Sequence, residues 1–124
     1  MRLFSVEEAN SLIPRLRPRL EDLRACMSEI RAFKPQSRAA AASAIGGGGV
    51  PGGSFYVGKL MEFGSITSEI TDLGVQIKDP ERGLIDFPSM KGDRIVLLCW
   101  MLGEEDRIEW WHEMEAGFAG RQRL

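Results

Sequence analysis

Two cysteines and one histidine are all that this chain of 124 residues carries of the side chains that most often bind metals or act as nucleophiles and bases. Cys26 and Cys99 have no CxxC spacing, and each lies among apolar neighbours (Met27 and Ile30, Leu97 and Leu98), where cysteine acts as a small hydrophobe. A disulfide between them is not expected. With one histidine there is no HExxH, and no serine stands in a GxSxG, so zinc-protease, zinc-finger and α/β-hydrolase chemistry lack their minimum residues. No apolar run reaches the roughly 20 residues of a membrane span, and MRLFSVEEAN lacks the apolar segment of a signal peptide, so the chain reads as cytoplasmic. Sixteen basic against eighteen acidic residues leave a net charge of −2, which gives no excess of positive charge to attract nucleic acid. The arginines of the first segment also lack an aromatic platform beside them, and nucleic acid is not an expected partner.

What is present is one domain's worth of apolar sequence, 44% of the chain, and the reading is a single domain over 1–124. Ser5 followed by Glu8 is a capping box that starts a helix near Val6. Leu12, Leu16, Leu20, Leu23, Met27 and Ile30 then draw one stripe to about Phe33, with a bend or fresh start expected at Pro14 and Pro18. Residues 35–53 are rich in alanine and glycine and read as a flexible connector. The GGGG run there is no phosphate cradle, because Val50-Pro51 follows it where a Lys and a Ser or Thr are needed. A second helix is predicted from Phe55 to Leu73, apolar at Val57, Leu60, Met61, Phe63, Ile66, Ile70 and Leu73, and capped by Gly74.

The period then changes from 3.6 to 2. Val75 to Lys78 and Leu84 to Phe87 form a predicted hairpin around Asp79-Pro80-Glu81-Arg82-Gly83, Pro88 ends its second strand, and Ile95 to Leu102 is a central strand. Gly103 to Asp106 turn the chain into a fourth strand, Ile108 to Met114, and 116–124 is a tail. The fold expected is α+β, with two long antiparallel helices on one face of a four-stranded, mainly antiparallel sheet.

The segment Cys99–Arg121 holds all three tryptophans, the histidine and six carboxylates in 23 residues. Charge is uneven: residues 1–38 are +3 (eight basic, five acidic) and residues 99–115 are −5 (one basic, six acidic), which suggests faces that pair with each other or an anion or cation site. A four-residue loop sets Leu98 opposite Trp111, Val96 opposite Glu113 and Trp100 opposite Glu109. Ile95, Leu97, Cys99, Met101, Ile108, Trp110, His112 and Met114 make the other face, which, apolar but for one imidazole, is the one expected to meet the helices. The face of Val96, Leu98, Trp100 and Trp111 is then an outward apolar patch that an isologous dimer would cover. His112 is either a satisfied core residue or a metal ligand or general base. Were the segment helical, Glu109-x-x-His112 would match a two-metal bundle motif, but only one copy exists. Arg121, in GFAGR, either docks the tail on its own domain or clamps an anion or the acidic hairpin.

FSVEEANSLIP, DPERGLIDFP and CWMLGEEDRIEWWHEMEAGFAGR together resemble the small prokaryotic proteins of domain-of-unknown-function family 2203, from about Phe4 to Arg121. The resemblance implies a cytoplasmic prokaryotic protein and no assigned activity.

On these readings the leading function is a non-enzymatic binding or assembly domain, a homodimer formed through Val96, Leu98, Trp100 and Trp111, with no cofactor expected. The alternative is a metal-binding protein or small metal-assisted enzyme. Its divalent ion would draw on His112, Asp86, Glu104 and Glu113, with His112 and Arg121 as the catalytic candidates.

Overall fold

The computed structural model describes residues 1–33 and 53–124, so the expected connector lies outside the described residues apart from Gly53, which opens a helix. Helix α1 spans Val6–Ala32 and α2 spans Gly53–Thr71. Strands β1 (Gln76–Asp79), β2 (Leu84–Lys91), β3 (Arg94–Met101), β4 (Trp110–Glu113) and β5 (Gln122–Arg123) form one antiparallel sheet in chain order, with a 3-10 turn at Phe118–Gly120 before β5. The chain is α+β, with five strands where four were expected. The fifth is the tail, whose two residues pair with Trp110 and Trp111.

The capping box is present in full. The Ser5 hydroxyl accepts the Glu8 N–H at 3.0 Å, and Glu8 accepts the Ser5 N–H at 3.0 Å. Pro14 and Pro18 do not divide α1, which runs unbroken through both. They sit on its exposed side, where the carbonyls they deprive of partners can be hydrated. The buried stripe is Ala9, Ile13, Leu16, Leu20, Leu23 and Cys26, rotated slightly from the predicted one at both ends. The ion pairs Arg19–Glu69 and Glu29–Lys59 join α1 to α2 in opposite sequence order. Gly74 caps α2 with φ +93°, its N–H on the Thr71 carbonyl at 2.9 Å.

In the first hairpin Asp79 accepts the N–H groups of Glu81 and Arg82 at 3.0 and 3.3 Å, and Gly83 takes φ +61°. A side chain at Gly83 would run into Leu102. Pro88 does not end β2, which continues to Lys91. The β1 ladder stops at Asp86, and beyond it the Pro88 carbonyl accepts the Phe4 N–H at 2.7 Å. In a strand a residue's N and O point to the same side, so the donor Pro88 lacks falls on the side β1 has left.

The predicted register between β3 and β4 holds at Leu98↔Trp111 and Val96↔Glu113. The ladder starts only at Cys99↔Trp110, so no pairing of Trp100 with Glu109 forms and the connecting loop is longer than four residues.

The expected assignment of faces is reversed. Val96, Leu98, Trp100 and Trp111, expected outside, share one core with Phe4, Ile13, Leu16, Leu20, Ile66, Ile70, Ile85 and Phe87. Trp100 is 0% exposed and its indole N–H reaches the Glu105 carbonyl at 2.8 Å. The cause lies in β2. Ile85 stands opposite Trp100 and Phe87 opposite Leu98, so the bulk of three strands accumulates on one side. Burying an aromatic of this size removes about 150–250 Å² from water, worth at most about 4–6 kcal/mol at about 25 cal/mol per Å². The carboxylates of that segment stay at the margin, Glu113 on Arg94 at 2.7 Å and Glu109 on Arg123 at 3.2 Å.

Candidate functional site

The reversal leaves Asp86, Cys99 and His112 on the sheet face opposite the helices, each on its own strand. Asp86 of β2 stands directly opposite Cys99 of β3, and His112 of β4 stands opposite Leu97, the next residue of β3 on that face. Alternation along three adjacent strands therefore places a carboxylate, a thiol and an imidazole side by side. Their ligand atoms all lie within 4.8 Å of one another, and the three residues are 1–2% exposed.

His112 Nδ1 lies 2.7 Å from the Glu113 backbone carbonyl, and Nε2 lies 2.9 Å from Asp86 Oδ2. A carbonyl only accepts, so Nδ1 carries a proton and donates it. This orientation turns Nε2, the nitrogen left to coordinate an ion, toward Asp86. Nε2 and Asp86 Oδ2 face each other at hydrogen-bond distance. Asp86 Oδ1 is buried and has no hydrogen-bond partner among the described residues. Burial pushes the Cys99 thiol up to about 12, with the Asp86 charge raising it further and Arg121 opposing, so Cys99 is a neutral thiol at pH 7.

The cluster forms the floor of a cavity of about 140 Å³, walled by Leu84, Leu97, Met114, Gly117 and Phe118, with Lys78 at its side. The tail that follows β4 thus covers a sheet face that the helices leave uncovered. Two guanidinium groups lie against Phe118, Arg82 at 4.4 Å and Arg121 at 4.8 Å from its ring centre.

Of the residues singled out from sequence, the structure brings Asp86 and His112 together and leaves the others apart. Glu113 points away and pairs with Arg94, as adjacency to His112 on a strand requires. Glu104 accepts the Met101 N–H at 2.8 Å and pairs with Arg121 at 2.6 Å. The Arg121 guanidinium also stacks 4.8 Å from Trp110, so the tail is clasped to the acidic hairpin. Arg17 of α1 reaches the same loop, bonding Asp106 and the Glu104 carbonyl. One arginine of the basic helix thus pairs with the acidic loop within the same molecule.

Cys99 is the residue that sequence reasoning passed over. Its signal was available, since the derived register already put Cys99 on the face of His112. Its apolar neighbours hid it.

The class of protein is now defined: a helix pair with a five-stranded antiparallel meander whose outer face carries a buried carboxylate, thiol and imidazole. The family described as uncharacterized conserved protein DUF2203 matches residues 2–124, and the chain belongs to that family. Neither the curated proteins nor the solved structures contain a match to it. Among the described residues no helix is long and apolar enough to cross a membrane.

Proposed function

We propose that the protein binds a divalent transition-metal ion through Asp86, Cys99 and His112, with zinc the best fit to a mixed oxygen, sulfur and nitrogen donor set. The observation that carries this reading is the convergence of three different ligand types from three strands within 4.8 Å, in a site where Asp86 keeps an unpartnered oxygen. A tetrahedral zinc with these donors has ligand–ligand edges of about 3.3–3.8 Å, so a separation at the 4.8 Å limit would close by about 1.0–1.5 Å. His112 is already oriented through Nδ1, the arrangement by which proteins fix a metal-bound imidazole. The ion would convert Cys99 to a thiolate, its proton released to solvent, as coordination does to thiols generally. Two anionic ligands would then balance its charge. Glu104 and Glu113, metal candidates in the sequence, belong to separate ion pairs and form no part of the set.

The test is zinc titration against a competing chelator, read with elemental analysis of the loaded protein. Wild type should take up about one ion per chain, and Cys99→Ser, Asp86→Asn and His112→Gln should each weaken uptake by about a hundredfold or more while circular dichroism shows a folded chain. Glu113→Gln and Glu104→Gln should leave affinity unchanged. Wild type that folds yet takes up no ion would make the cluster a buried hydrogen-bonded network and overturn the proposal.

A further inference from the structure

Three protein ligands leave a tetrahedral ion one coordination position short, and here that position has somewhere to point. Structural zinc sites close with four protein ligands, whereas sites that exchange a ligand keep three and face a cavity. The cluster lies at the floor of the 140 Å³ cavity. At about 30 Å³ per water molecule this is room for about four waters, or a ligand of a few heavy atoms.

The walls narrow the class of ligand. Leu84, Leu97, Met114 and Phe118 are apolar and offer no hydrogen bond from their side chains, and Lys78 is the one cation among the lining residues. Among the described residues Lys78 takes part in no ion pair, in contrast to Lys59, which is engaged by both Glu29 and Glu62. Charge accounting gives the same direction. An ion balanced by one carboxylate and one thiolate is neutral as a unit, and Lys78 then leaves the cavity with a net positive charge.

From these features we infer that the cavity admits a small anion, which binds the open position of the metal at one end and the Lys78 ammonium at the other. The inference rests on the metal reading above and adds to it the exchangeable position and the anionic class of ligand. Arg121, a candidate for the same task in the sequence, is spent on Glu104, and Lys78 takes its place.

Cobalt(II) in place of zinc makes the coordination number visible in the absorption spectrum, and azide serves as the anion. The cobalt-loaded protein should change its ligand-field bands on addition of azide, with saturation. Lys78→Met, an exposed position that the core does not use, should bind cobalt as wild type does and bind azide about tenfold more weakly, the size of one charge interaction near a protein surface. Cobalt bound with a spectrum indifferent to azide would mean a closed site, and this inference falls while the metal reading stands. An azide response unchanged in Lys78→Met would remove Lys78 from the proposal. Failure of wild type to bind cobalt at all would take down the metal reading and the inference together.

Discussion

Trp111 and His112 are neighbours in sequence and face opposite layers of the molecule. Trp111 enters the helix-side core at 8% exposure, while His112 joins Asp86 and Cys99 beneath the tail. Replacing Trp111 by glutamate therefore puts a carboxylate into a packed interior rather than at a subunit boundary. Trp111→Glu should lose at least about 3 kcal/mol of stability in urea denaturation, from lost packing and a desolvated charge. A variant of unchanged stability that altered only its sedimentation would show that this face is an interface after all. The β3–β4 pair taken alone favours the opposite face. One imidazole looked like a small defect in an apolar surface, when Asp86, contributed by a third strand, made the imidazole the better residue to keep off the helices.

At the level of elements, what could be read in advance was whatever short-range geometry dictates. The Ser5–Glu8 box, the apolar stripes and the Asp79–Gly83 turn all follow from spacings of two to five residues. The box also carries a pH signature. Hydrogen bonds from the Ser5 backbone and side chain hold the Glu8 carboxyl below its usual 4.5. A lowered acid stabilises the fold above its unfolded value, and that stabilisation is lost as pH falls through the folded one. Thermal melts should place wild type above Glu8→Gln at pH 7, with the gap narrowing as pH falls below the ordinary carboxylate value of about 4.5; a gap that does not narrow on acidification would contradict this origin. What spacing could not supply was pairing beyond neighbours. The extension of β2 past Pro88 depends on where β1 stops, and β5 has two residues, too few for any periodicity. The metal candidates were similarly half legible: Asp86 and His112 by residue type, Cys99 only once three strands are aligned.

For the molecule as a whole, the two thiols are natural reporters. Cys26 lies in α1 with its thiol on the Lys59 carbonyl, and Cys99 lies on the far side of the sheet, so they sample different layers. In the presence of a chelator both should stay unreactive toward a thiol reagent in the native state and become labelled together across the urea transition. Labelling of Cys99 well before Cys26 would show that the tail side opens as a separate unit.

The proline tolerated in β2 has a bearing on solubility. A sheet that stops at a bare edge invites another chain to continue it, and this one discourages that at both ends. On one side, beyond the short edge strand β1, Pro88 of β2 has no N–H to offer and Lys91 brings a charge; on the other the edge strand β5 is two residues long and ends at Arg123. Intermolecular growth by strand addition, the ordinary route from an antiparallel sheet to fibrils, is disfavoured along these stretches.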